Sequence, residues 1–268
     1  MIVASADEAM ARAEELAAEV PDGATVMVSG FGEPGTPFLL LDALARRGGA
    51  GLTVVKNDAN EPGVGVGRLL DEGRIGRLVS SHIGLNRDAV AAWNQGTIEV
   101  EIHPQGILAE RIRCGGAGLP GFLADLDAEL LPETPEPRAT MVWRGRTVTI
   151  EPALRADVAL IHAHRADRHG NLRYRATARN FAPLMAMAAE RVWVEVDEIA
   201  AEPLDPDDVW LGIRPVGPEH ARWLPASLRG RSLSETARDG ARTSDGRFAT
   251  DDSPDFGRDV ARRTARHS

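Results

Sequence analysis

Short apolar runs alternate with helix-periodic segments through the first half of the chain. Residues 24–29 around Val26-Met27-Val28, Leu52 to Lys56, Arg77 to His82 and Thr97 to His103 read as strands. Ser5 to Val20 reads as an acidic surface helix, with Ser5 as N-cap and Glu8 completing a capping box. Helical patterns follow at 37–47, 64–72 and 87–95, and Gln105 to Cys114 reads as a helix ending in Gly115-Gly116. Strands alternating with helices predict an α/β fold, an open and mostly parallel sheet with flanking helices.

The pattern changes after Pro120. Residues 122–138 are acidic and proline-bearing, which suits a surface excursion. Met141-Val-Trp, Arg144-Gly145 and Thr147 to Ile150 read as a small antiparallel hairpin. Ala156 to Ala163 and Val192 to Val196 are apolar strands, and Asn180 to Glu190 between them reads as a helix with Met185 and Met187 in the core. Beyond about Asp205 the pattern fades. Residues 226–268, rich in Arg, Asp, Ser, Thr and Gly, read as a disordered or partner-dependent tail. The sequence has no internal repeat.

At 268 residues and 43% hydrophobic content the chain can build one large α/β domain with extensions, or two small ones. A formal net charge of −9 argues against a general nucleic-acid binder, which needs a basic footprint. No run approaches the roughly 18–20 apolar residues of a membrane helix. The first twenty positions lack a signal-peptide pattern, and the lone Cys114 excludes an intrachain disulfide framework, so cytoplasmic residence is the expectation. Lys56 is the only lysine, hence the only candidate for lysine chemistry.

The most informative stretch is residues 22–37. A strand breaks on Gly30, Gly32 and Gly35, then Thr36 offers an N-cap and Pro37 a first helical residue. Strand, glycine loop and helix N-terminus together make an anion site. The spacing also fits a dinucleotide fingerprint with Asp58 as ribose acid, but the helix would start too late and Asp58 sits in a continuing loop. A tight turn without a ligand is the plainer alternative. The Gly115-Gly-Ala-Gly118 run suits either a helix C-cap or close backbone approach to a ligand. Cys114, at a helix C-terminus, is a poor nucleophile. Ser29 lacks a nucleophile-elbow setting, because position 27 is Met. His162 and His164 share a strand face near Asp167 and His169; such a group can hold a metal, though hydrogen-bonded structural histidines are the commoner outcome. The arginines from Arg165 to Arg179 suit an anion-binding surface or a charged interface.

Several segments together carry a resemblance. They are Asp22 to Pro37, Leu52 to Asp58, Ser80-Ser-His-Ile-Gly-Leu-Asn86, Ile98 to Pro120, and Ala153 to Met187 with Asp-Arg-His-Gly-Asn-Leu and Thr-Ala-Arg-Asn-Phe-Ala-Pro. Collinear over roughly residues 5–200, they resemble the α subunit of family I CoA-transferases, the short-chain 3-oxoacid and acetate/acetoacetate group. The resemblance implies a CoA-transferase α-subunit domain over 1–204 and a divergent extension over 205–268. It implies ping-pong chemistry through a glutamyl-CoA thioester, coenzyme A as substrate with no bound cofactor or metal, and an α2β2 assembly. The catalytic glutamate belongs to the β subunit in a Glu-Asn-Gly setting, which this chain lacks, so no catalytic residue is expected here. The substrate-binding wall carries over onto Gly30, Phe31, Gly32, Gly35, Asn57, Ser80, Gln105, Gly115, Gly116, Ala117 and Gly118. Gln105 is the foremost polar contact, with helix capping as its plainer role. Ser29 stands where the family has glycine and is expected to narrow the space beside the loop. Ala124 to Glu136 replaces a Thr-Pro-Thr-Gly stretch, and Trp210-Leu-Gly-Ile replaces His-Thr-Pro-Gly. These departures leave open thioester hydrolysis or lysis, or a non-catalytic nucleotide-type binding role.

Overall fold

The computed structural model describes residues 6–126, 139–209, 211–212 and 221–225. Ser5, residues 127–138 of the acidic excursion and the tail 226–268 lie outside the described residues.

Helix α1 (Ala6–Ala18) leads into β1 (Thr25–Val28), α2 (Phe38–Arg47), β2 (Leu52–Val55), α3 (Val66–Asp71), β3 (Ile75–Ser80), α4 (Arg87–Asn94), β4 (Glu99–Ile102) and α5 (Gln105–Gly116). The four strands lie side by side in chain order, all parallel. The chain then forms β5 (Gly121–Ala124), β6 (Ala139–Trp143) and β7 (Arg146–Pro152), a three-stranded antiparallel sheet in the order β5-β7-β6. It returns through β8 (Ala156–Asp167), β9 (Asn171–Arg173), α6 (Ala182–Ala188) and β10 (Ala189–Ala200). Strand β8 inserts beside β1, parallel to it, and β10 runs parallel on the far side of β8. Past residue 205, β11 (Leu211–Gly212) pairs with β9 and β12 (Ala221–Pro225) pairs with β10, so the sheet continues into the expected extension.

Alternation along the strands explains the layers. Met27, Val55 and Val79 point to one face and pack with Leu108 and Ile112 of α5 and Met185 of α6. Val26, Val28 and Val54 are equally buried on the other face, where α1 packs on α2 through Ala9, Ala13, Leu16, Leu40 and Leu44. From β1 the chain winds toward β4, and from β8 it winds toward β10. The β1–β8 boundary is therefore a topological switch point, where α/β sheets bind ligands beyond the carboxyl ends of the strands.

Several expectations shift. Strand β3 runs two residues ahead of the expected 77–82, because Ser81 turns away to donate its N–H to Asn57 O at 3.0 Å. Helix α5 continues through Gly115 and Gly116 rather than ending before them. A Cβ at Gly115 would lie 2.1 Å from Leu154 O, and one at Gly116 2.6 Å from Met187 Cβ, so these glycines let the last turn press against the chain itself. Residues 121–124, expected as surface excursion, form β5. The β6–β7 hairpin is present with Arg144 and Gly145 at φ 49° and 77°, the left-handed pair of a type I′ turn. Met185 is buried as expected, but Met187, which lies beside Gly116, is 51% exposed. Trp143, Met141, Ile150 and Leu123, which share one face of the small sheet, are exposed as well.

A buried ionic cluster fixes α5 against the sheet edge. Glu101 on β4 accepts from Arg77 of β3, from His103, and from Arg111 Nη1 at 2.9 Å. Arg111 Nε also donates to Pro152 O at 2.9 Å, tying β4, α5 and β7 together. Burial opposes ionisation of Glu101, but the bonds from His103 and the two arginines prevail and hold its carboxyl well below the usual range.

Candidate functional site

The carboxyl ends of β1 to β4 bring most of the expected residues together. The Gly30–Gly35 loop follows β1, Asn57 follows β2, Ser80 ends β3 and Gln105 opens α5 after β4. Asn57 is fully buried and central. Its backbone oxygen accepts from Ser80 Oγ at 2.9 Å and Ser81 Oγ at 2.7 Å, while its Oδ1 accepts from Gln105 Nε2 at 2.7 Å. Gln105 itself is exposed. It does not cap its helix; Pro104 occupies the cap position without a side-chain bond, and the carboxamide reaches the β2 loop instead. Gly115, Gly116, Ala117 and Gly118 are not part of this group. They lie at the far end of α5, where Gly115, Gly116 and Gly118 line a cavity of about 400 Å³ with Thr25, Ala156 and Ala189, the first residues of three parallel strands. The two glycine segments therefore sit at opposite ends of the sheet.

The glycine loop is braced from every side. Gly30 N–H donates to Asn180 Oδ1 at 3.1 Å, Asn180 Nδ2 donates to Pro34 O at 3.0 Å, and Phe31 N–H donates to Pro34 O at 3.1 Å. Gly32 N–H donates to Asp58 Oδ2 at 2.8 Å. Gly32 O accepts from Thr36 Oγ1 and Asn60 Nδ2, both at 2.8 Å, and from Lys56 Nζ at 3.3 Å. Thr36 therefore closes the loop instead of capping α2, whose cap position is Pro37. Ser29 is fully buried, donating from Oγ to Gly35 O at 2.6 Å and accepting His162 N–H at 3.1 Å. Its hydroxyl stitches the loop to β8 and does not narrow a binding space. Outward the loop offers Phe31, 47% exposed, together with the exposed Glu33 and Pro34.

The anion site expected at the start of α2 exists, and the chain fills it itself. Glu195 of β10 reaches across and its Oε2 accepts Leu39 N–H at 2.8 Å and Leu40 N–H at 3.3 Å. Burial pushes the Glu195 carboxyl up to about 7, against the pull of His162 and these two N–H groups. His162 and His164 both bond Asp197, at 3.2 and 3.0 Å. Burial disfavours the charged His162, but the Asp197 bond and the nearby Glu195 outweigh it and raise its pKa. Asp167 points elsewhere, accepting Leu204 N–H at 2.9 Å and His169 N–H at 2.8 Å. Among the described residues no His, Cys, Asp or Glu group of metal-holding arrangement is present.

Asp58 has no ribose role. It is 4% exposed, and its oxygens accept from Lys56, Gly32, Asn57 and Asn60. Burial opposes its charge, yet Lys56 and the N–H donors hold it below the usual carboxylate range. Cys114 is buried and burial pushes its thiol up, so it is no nucleophile. In the polar stretch after β8, Arg165 pairs with Glu198 and Arg173 with Asp208, both at 3.0 Å. Sequence reasoning missed Asn60, Asn180 and Glu195. Asn60 and Asn180 have positive φ, of 51° and 24°, a conformation in which asparagine is enriched, but no local pattern announces their partners. No helix among the described residues is long and apolar enough to cross a membrane.

A profile of the family described as Coenzyme A transferase matches residues 10–211. The chain is 46% identical over 184 residues to a probable coenzyme A transferase subunit alpha of Bacillus subtilis, covering 68% of this chain and 79% of that protein. It is 44% identical over 189 residues to acetate CoA-transferase subunit alpha of Escherichia coli strain K12, covering 70% and 85%. Among solved structures, the decarboxylase AibA/AibB is similar with a TM-score of 0.65 and 27% identity, covering 85% of this chain and 94% of that one.

Proposed function

The chain belongs to the coenzyme A transferase family, and from that premise we propose that it is the α-subunit wall of a heteromeric centre that moves CoA between a short acyl- or 3-oxoacyl-CoA and a free carboxylate. One observation carries the division of labour. The buried carboxylates nearest the loop, Asp58 and Glu195, are spent as acceptors for Gly32, Lys56, Leu39 and Leu40. On this reading the attacking carboxylate comes from a β subunit, as the resemblance to the family implies. Its glutamate attacks the thioester carbonyl, giving an acyl-glutamyl anhydride and CoA thiolate. The thiolate attacks the glutamyl carbonyl, releasing the acyl carboxylate and leaving a glutamyl-CoA thioester. The incoming acid reverses both steps and carries CoA away. Splitting the exchange this way lets fixed N–H donors stabilise each tetrahedral oxyanion.

On this reading Gln105, exposed and aimed by Asn57, meets the acyl carboxylate or the glutamyl intermediate from the α side. The exposed Trp143, Val142 and Met141 are apolar surface of the kind that marks contact with another protein, which fits a subunit of an assembly.

The test is exchange between a short acyl-CoA and free acetate, with this chain alone and after co-expression with a candidate β subunit. Transfer is expected only in the complex; turnover at full rate by the lone chain overturns the proposal. In the complex, Gln105→Ala should lower kcat/KM roughly 5- to 30-fold, the worth of one lost polar contact, with assembly intact. Loss of assembly would instead make Gln105 structural.

The likeness to the decarboxylase AibA/AibB favours a second reading, decarboxylation by the same fold. Carbon dioxide released without any acceptor acid would select it.

A further inference from the structure

The chain's only lysine is in a costly place. Lys56 directly follows β2, its side chain is 0% exposed, and its Nζ contacts Asp58 Oδ1 at 3.0 Å and Gly32 O at 3.3 Å. Removing an ammonium and a carboxylate from water costs several kcal/mol each, and a neutral pair of similar volume commonly holds a fold as well or better. Stability alone therefore does not account for the pair.

What the pair does is visible at Gly32. That residue has φ 61°, and glycine moves between backbone conformations at little cost. Both polar groups of Gly32 are gripped by the pair: Asp58 takes the N–H and Lys56 helps hold the carbonyl. Asn60 completes the grip, donating to Gly32 O from Nδ2 while its Oδ1 accepts Val66 N–H at 3.1 Å, which anchors it to the start of α3. Phe31, which immediately precedes Gly32, is an exposed side chain of the loop.

We propose that Lys56 and Asp58 are positioning residues for transfer: they lock the Gly32 peptide, and with it Phe31, in the attitude the acyl-CoA meets. This rests on the loop being a wall of the active centre. A misplacement of about 1 Å at such a wall can cost about 100-fold in rate. Neither residue touches substrate; both act through Gly32.

The experiment uses the co-purified complex and K56M, D58N and the K56M/D58N double variant. Wild-type transfer is the control for the functional reading, and only ratios to wild type bear on the clamp. Each single variant leaves one buried charge without its partner and should lower the unfolding midpoint. The double variant removes both charges at nearly constant shape and should return the midpoint close to wild type. Its kcat should nonetheless stay roughly 10- to 100-fold low, with KM changed much less, because the lysine bond to Gly32 O is gone. Recovery of kcat together with the midpoint would overturn the proposal. Should the double variant fail to assemble, Thr36→Val decides. It removes one donor to the same carbonyl without stranding a charge; a lowered kcat supports the clamp, and an unchanged one overturns it.

Discussion

Replacing Glu101 by alanine should cost the fold about 3–5 kcal/mol, the scale for stranding buried charges by removing one partner. Glu101 is 5% exposed and is the shared acceptor for Arg77, His103 and Arg111. Its loss leaves Arg111 and Arg77 facing each other across β3, β4 and α5 without a carboxylate between them. Denaturant unfolding monitored by circular dichroism reads the change directly. Glu101→Gln keeps the shape and one acceptor, so it should fall between wild type and alanine. The pH dependence has a definite sign. A carboxylate whose folded pKa is depressed contributes stability above its unfolded pKa and loses it as pH falls toward the folded one. The wild type should therefore lose stability faster than Glu101→Ala as pH drops below the ordinary glutamate range. Because α5 begins with Gln105, the same variant should also blunt transfer in the complex.

Glu195 predicts the opposite sign. Its folded pKa is raised, from 4.5 to about 7. Below pH 4.5 both folded and unfolded forms carry the proton and nothing is lost. Between about pH 4.5 and 7 the unfolded chain ionises first, and the fold is progressively penalised. At about 1.4 kcal/mol per pH unit, the interval from 4.5 to about 7 amounts to roughly 3 to 4 kcal/mol. His162, also raised, loses its contribution as pH climbs through its own folded value. Glu195→Gln retains an acceptor for Leu39 and Leu40 N–H but cannot ionise. Measured by thermal unfolding, it should fall below or match the wild type at pH 4.5 and gain on it steadily up to pH 7. Parallel curves for the two proteins across that window would show that Glu195 is not held neutral.

Much of the frame could be read from sequence because it is local. Alternation of apolar strands with helical stretches predicted the parallel sheet, and Arg144-Gly145 between alternating residues predicted the hairpin. The misses come from contacts distant along the chain. Gly115-Gly116 reads as a helix stop, because nothing nearby says that Leu154 O will lie against one and Met187 against the other. The start of α2 reads as an open anion site, because Glu195 lies 156 residues from Leu39. Of the expected wall, the Gly30 loop, Asn57, Ser80 and Gln105 converge, each at the carboxyl end of a successive parallel strand. Gly115 to Gly118 does not, because the length of α5 carries it to the amino ends of the strands. Asp58 and Lys56 stood out in the sequence as an acid and a sole lysine, but their common target, the Gly32 peptide, appears only when the two loops meet.

A folded molecule whose one side-chain amine is shut away from water is nearly blank to acylating reagents. Dyes, biotin esters and aldehyde crosslinkers will find little beyond the chain terminus, and coupling to a surface through lysine will fail. Any acyl adduct found at position 56 then becomes a tally of molecules that have opened.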